Sequence, residues 1–176
     1  MSAYKLRSFP ATADNLPKST HFETASMIKQ ITEHPSILHF LVDSTDNQLG
    51  YFVVDGDDNS VKSEEMQYLK FFEVFPENRK QGLGKVMLKE MLKIYPSIYF
   101  NAIPGSACFW MKSGAIPYDN CVEGVLCAFS KHQSPSLIFA EIFGGNCGPS
   151  PYGDKFIFDE ISRKMWEGYD DSNQPS

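Results

Sequence analysis

The stretch Val74-Phe75-Pro76-Glu77-Asn78-Arg79-Lys80-Gln81-Gly82-Leu83-Gly84-Lys85 constrains this chain more than any other. It sets a basic, glycine-bearing turn between an apolar strand-like run, Met66 to Phe75, and a stretch with helical spacing from Gly84 through Ile94. There Leu83, Val86, Met87, Glu90, Met91 and Ile94 trace one side, mostly apolar, while Lys85, Lys89 and Lys93 recur four apart on another, which is the pattern of an amphipathic helix. Glycine lets a backbone turn tightly and come close to a ligand. The free N–H groups and positive dipole end of a helix N-terminus then favour an anion, and Arg79 and Lys80 add charge at the rim. The turn reads as an anion cradle. It is not a Walker A loop, because Val86 follows Gly84-Lys85 where Ser or Thr is needed, nor a dinucleotide fingerprint, because the third glycine is missing.

Around this core the order of elements is strand, turn, helix, strand, helix. Tyr4 to Phe9 is a plausible first strand, and Phe22 to Ile31 has helical spacing stopped by Pro35. Ile37 to Val42 and Gly50 to Val54 are β-rich and flank Asp43-Ser44-Thr45-Asp46-Asn47, so an antiparallel hairpin is expected. Pro96 ends the amphipathic helix; Ile98 to Ile103 reads as a strand and Gly105 to Lys112 as a short helix stopped by Gly114. Pro, Gly, Asn and Ser thicken after residue 133, which divides the 176 residues into a domain over 1–130 and a C-terminal extension over 131–176 packed on the same domain. Within that extension the loop Gly144 to Pro151 suits lining an acceptor cleft or meeting a second subunit in a homodimer.

Charge and composition narrow the partners. Sixteen Lys and Arg against 22 Asp and Glu leave a formal charge of −6, which disfavours a nucleic-acid phosphate backbone and does not disfavour cationic amines. No apolar run approaches the roughly 18 residues of a membrane span, and no secretory leader is readable at the N-terminus, so a cytoplasmic location is expected. Cys108, Cys121, Cys127 and Cys147 form no CxxC pair and are expected to be reduced thiols. His21, His34, His39 and His132 lack metal-ligand spacing, and no metal site is expected. Asp55-Gly56-Asp57-Asp58-Asn59 lacks the remaining ligands of an EF-hand and reads as a solvated turn.

Arg79-Lys80-Gln81-Gly82-Leu83-Gly84, placed after Val74-Phe75-Pro76-Glu77, resembles the signature of the GCN5-related N-acetyltransferase (GNAT) superfamily: Arg or Gln, two residues, Gly, one residue, then Gly or Ala. A second family-like element, Phe109-Trp110-Met111-Lys112-Ser113-Gly114-Ala115, follows about 30 residues later. The resemblance covers residues 66–118 well and Tyr4 to Val54 by element order. It implies a mixed α/β (α+β) fold with a central, mostly antiparallel twisted sheet, a splayed parallel strand pair and flanking helices. It also implies acetyl-CoA as co-substrate: the pantetheine arm against the backbone of Phe72, Glu73 and Val74, and the pyrophosphate on Arg79, Lys80, Gln81, Gly82, Leu83, Gly84 and Lys85.

What the resemblance implies for activity is acetyl transfer to a primary amine, of a small molecule or of a protein or peptide, by direct attack. Such a reaction requires a group or water chain to take the ammonium proton and an acid for the departing thiolate. The family's frequent acid, a Tyr in the second motif, is replaced here by Trp110, whose indole is a poor proton donor and reads as packing or pantetheine-facing surface. Tyr118 stands eight residues further on, in what reads as a loop, and is the candidate acid, with a structural role as the alternative. Several relatives carry an acidic residue where this chain has Lys70. Glu73 is the lone carboxylate within Leu69 to Phe75 and shares a strand face with Phe71 and Phe75; an apolar setting would raise its pKa and make it a base. A solvated or Lys-paired Glu73 is the alternative. Glu64 and Glu65 read as an acidic mouth for a cationic substrate or as a solvated charge pair. Two rivals to an amine acetyltransferase stand beside it: a non-catalytic acyl-CoA sensor, and a toxin-like acetyltransferase of aminoacyl-tRNA, which needs a basic face.

Overall fold

Strand-forming residues dominate the first half of the chain. In the computed structural model, which describes residues 4–17, 28, 29, 31, 33–56, 66–102, 106–121 and 124–130, they build β1 (Lys5–Pro10), β2 (Ser36–Val42), β3 (Gln48–Asp55) and β4 (Gln67–Val74). The expected helix over Phe22 to Ile31 falls mostly outside the described residues, though Ile28, Lys29 and Ile31 are helical. The chain divides into two units, Met1–Tyr95 and Pro96–Ser176.

In the first unit β1, β2, β3 and β4 pair successively and antiparallel. The β2–β3 hairpin is closed by Asp43, whose Oδ1 accepts from the backbone N–H of Thr45 at 2.8 Å and of Asn47 at 3.0 Å. An Asx residue in this role offers the chain a ready-made turn. Hydrogen bonds from Asn47 and then Thr45 hold the Asp43 carboxyl down, at about 2. Because side chains alternate across a strand, Leu38, Phe40, Val42, Tyr51 and Val53 fall on one face. There they pack with Ile31, Phe71 and Phe75. His39, Phe52 and Phe72 take the other face, where His39 stacks on Phe52 at a centroid distance of 4.4 Å and Phe52 lies over Phe72 at 6.5 Å.

A 3-10 turn at Pro76–Asn78 leads into helix α1 (Leu83–Ile94), one residue longer at its start than its periodicity alone suggests. Leu83, Met87, Leu88 and Met91 are buried and Lys85, Lys89 and Lys93 are exposed, as the stripe requires. Tyr95 caps the helix through its N–H to the Met91 carbonyl and packs against His39 and Phe52.

The second unit contains β5 (Ile98–Ala102), helix α2 (Ala107–Lys112), β6 (Ile116–Cys121) and β7 (Gly124–Phe129), with β7 pairing antiparallel to both β5 and β6. Its core holds Phe100, Trp110 and Phe129, with Trp110 at 4.3 Å from the Phe100 ring and 6.3 Å from Phe129. Two features differ from the sequence reading. Tyr118 lies on a strand, β6, not in a loop, and Pro117 is tolerated beside it because β6 is an edge strand. The register also skips at Tyr118, between the pairs Pro117↔Cys127 and Asp119↔Leu126, so Tyr118 occupies a β-bulge. Along the chain the elements run β1–β4, α1, β5, α2, β6, β7, the mixed α/β order that the resemblance implies. Residues 131–176 and Glu64 and Glu65 lie outside the described residues.

Candidate functional site

The end of β4 and the start of α1 are joined by a turn whose backbone departs twice from ordinary geometry. Lys80 has φ 64° and Gly82 has φ 76°, both in the left-handed region. That conformation costs an L-residue roughly 1–2 kcal/mol and is natural to glycine. Gly82 is also the residue that opens the helix, and no side chain caps it. Its carbonyl accepts from the N–H of Lys85 at 3.1 Å and of Val86 at 3.4 Å, which starts the helical ladder. The first N–H groups of α1 are thus left without a side-chain partner at the positive end of a 12-residue helix. Lys80, Gln81, Gly82 and Lys85 are exposed beside them, Leu83 is buried and Gly84 half-buried.

Arg79 behaves differently from the rim cation expected of it. Its Nε donates to the Val74 carbonyl at 3.0 Å and its Nη2 to Glu73 Oε1 at 3.1 Å, so the guanidinium turns back onto the strand it follows. Phe75 N–H binds the Leu49 carbonyl at 3.0 Å, and Asn78 and Arg79 N–H groups bind the Phe75 and Pro76 carbonyls, which completes the corner.

Glu73 was expected among apolar neighbours. The face it shares with Phe71 and Phe75 is apolar, yet its carboxylate is ion-paired: only 7% of the side chain is exposed, with Arg79 on Oε1 and the Tyr51 hydroxyl donating to Oε2 at 3.0 Å. Tyr51 and Glu73 are register partners across β3 and β4. Tyr51 is fully buried and was not singled out in the sequence, where a hydroxyl within the apolar run Gly50 to Val54 was its one visible mark. Gly50 lies beside this pair, and a Cβ on it would stand 2.5 Å from the Glu73 carbonyl oxygen. Phe72 and Val74 flank Glu73 on the same strand and are half-buried.

Lys70 is held by Asp55 and by a 2.9 Å hydrogen bond to Ser36 Oγ, with 10% of its side chain exposed. In the second unit Trp110 is 5% exposed, surrounded by rings, and its Nε1 donates to Ser106 Oγ at 3.2 Å. It packs the core. Cys127 is buried and forms no disulfide, and no cluster of three or more metal-ligating side chains occurs among the described residues. No helix among them is long and apolar enough to cross a membrane.

No protein-family profile matches the sequence, and no curated protein matches it. Solved structures do resemble it in fold. A GNAT-family protein from Desulfovibrio desulfuricans is 15% identical over 70% of this chain and 98% of its own, with a TM-score of 0.47. A GNAT family acetyltransferase from Elizabethkingia anophelis with acetyl-CoA bound is 17% identical over 71% and 97%, with a TM-score of 0.44. Tetrahymena GCN5 is 10% identical over 61% and 75%, with a TM-score of 0.49. Residues Arg79–Gly82 form the turn between β4 and α1, and Leu83 and Gly84 are the first two residues of the helix.

Proposed function

We propose that this chain is a GNAT-type N-acetyltransferase that moves an acetyl group from acetyl-CoA to a primary amine. The observation that carries the reading is the start of α1, which no side chain caps and which follows a turn with positive φ at Lys80 and Gly82, with Lys80 and Lys85 exposed beside it. A pyrophosphate suits such a cradle, since both backbone donors and dipole favour negative charge. Gln81, Gly82, Leu83 and Gly84 would bind through backbone, Lys80 and Lys85 through charge, and Phe72, Glu73 and Val74 would offer strand backbone to the pantetheine arm.

The chemistry asked of the site is modest. The amine lone pair attacks the thioester carbonyl, a C–N bond forms, the C–S bond breaks, and one ammonium proton leaves while the thiolate gains one. Holding the two reactants together supplies much of the rate, and a backbone N–H near Val74 would stabilise the developing oxyanion. For the proton routes, Tyr118 is the acid proposed from the sequence. Glu73 is the carboxylate proposed from the sequence as base, and with both oxygens engaged it would have to exchange a bond to serve. A carboxylate that takes the proton contributes roughly 10²–10⁴-fold to turnover; one that holds Arg79 acts on donor affinity instead.

The test is release of CoA thiol from acetyl-CoA across polyamines, aminoglycosides, amino acids and peptide N-termini. Release that depends on one amine class supports the reading and names the acceptor. Donor binding without release from any amine favours the non-catalytic sensor, a reading that the buried Trp110 motivates because it leaves the second motif without a phenol. Acetylation of aminoacyl-tRNA is the weaker reading for a chain of charge −6.

A further inference from the structure

We infer that Tyr51 and Glu73 are positioning residues for the anion cradle, acting through Arg79: together they lock the corner between β4 and α1 in the shape that receives a pyrophosphate. The inference rests on the proposed CoA-binding role of that turn. Three observations lead to it. The Arg79 side chain leaves the rim and closes a ring with its own strand, through the Val74 carbonyl at 3.0 Å and the Glu73 carboxylate at 3.1 Å. The carboxylate that receives it is almost wholly buried, and a buried charge is tolerated only when paired and hydrogen-bonded. The remaining oxygen is met by Tyr51, a phenol buried in the sheet and directly opposite in register, so the anchor is fixed from a second strand.

The consequence concerns geometry and charge together. With its planar fork held at two points, Arg79 fixes the backbone immediately before Lys80, the residue forced into the left-handed region. Its positive charge is matched by Glu73, so the cations left to face an anion are Lys80 and Lys85. Arg79 thereby shapes the turn and is not itself a phosphate ligand. Loss of the Tyr51 hydroxyl would leave the ring packed but remove the 3.0 Å bond that ties the Glu73 carboxylate to β3, loosening the anchor on which Arg79 is held.

The experiment compares two ligands in the full chain by NMR titration: CoA, which carries the pyrophosphate, and acetyl-pantetheine, which lacks it. Tyr51→Phe is expected to weaken CoA 3- to 10-fold and to leave acetyl-pantetheine within twofold, a ratio that general destabilisation would not move, and Glu73→Gln is expected to weaken CoA by a similar factor. Tyr51→Phe placed on Arg79→Gln is expected to add little further loss, because both act on one ring; this pair keeps the test intact if Glu73→Gln does not fold. Unchanged CoA affinity in Tyr51→Phe, equal loss for both ligands, or tighter CoA binding by Glu73→Gln, as a released phosphate-binding Arg79 would give, each overturns the inference. Failure of the wild-type chain to bind CoA would overturn the proposed function and this inference with it, before any variant is compared.

Discussion

Gly50 lies so close to Glu73 that a Cβ on Gly50 would stand 2.5 Å from the Glu73 carbonyl oxygen and 3.0 Å from Val74 Cα. Both obstacles are backbone, which cannot swing away as a side-chain tip can. β3 and β4 are thus drawn together at the level where Tyr51 reaches Glu73. Gly50→Ala is expected to lose about 1–3 kcal/mol, the usual range for forcing atoms into a packed region. Urea unfolding would show it as a lower midpoint at unchanged slope.

Gly82 presents the opposite situation. A Cβ there would meet nothing within 4 Å, yet its φ of 76° is costly for any other residue. Gly82→Ala is therefore expected to lose about 1 kcal/mol from backbone conformation alone. Gly82→Asn should lose less, since Asn visits this region more readily. Equal losses from the two, read by urea titration, would count against a conformational cause.

His39 gives the protein a pH dependence of stability. Its Nδ1 is 2.7 Å from Ser8 Oγ, its Nε2 is 2.8 Å from the Tyr95 hydroxyl, and the ring stacks on Phe52. Burial lowers its pKa from 6.5 to about 4. The native ring is then neutral over a range where the unfolded chain binds a proton, so stability is complete above about 6.5 and falls as pH drops toward 4. At about 1.4 kcal/mol per unit the full loss is on the order of 3 kcal/mol. Urea midpoints measured from pH 7 to 4 should decline, and His39→Gln should flatten that slope; an unchanged slope in the variant would assign the pH dependence to other groups.

Trp110 stands where a Tyr acid is frequent in the family, but its place is among Phe100, Phe109 and Phe129. Trp110→Ala is expected to cost about 3–5 kcal/mol of stability, as loss of a buried large aromatic does. Trp110→Phe should keep the pH profile of thiol release unchanged. A lost basic limb in that profile would mean the indole's surroundings take part in proton transfer after all.

Much of this was legible where local physics decides. The alternation in Ile37 to Val54, the Asx turn at Asp43 and the stripe of α1 each act over a few residues, and each formed as expected. The strands β6 and β7 escaped notice because Pro117, Asp119 and Asn120 carry turn chemistry, and because β7 is also held by β5, a partner more than twenty residues earlier that no local pattern announces. The glycine turn announced itself through composition. The Glu73–Arg79 pair did not, since it closes across a corner six residues apart, and the Tyr51 contact depends on the β3–β4 register that no local sequence rule fixes.

The central claim is that the β4–α1 turn receives the pyrophosphate of CoA, and amide chemical shifts recorded while CoA is titrated into the full chain test it most directly. The account predicts saturable shifts that are largest at the N–H groups of Gly82, Leu83, Gly84 and Lys85, with smaller ones along Phe72 to Val74. An absence of shifts at Gly82 to Lys85, or saturable shifts centred elsewhere in the chain, would contradict it.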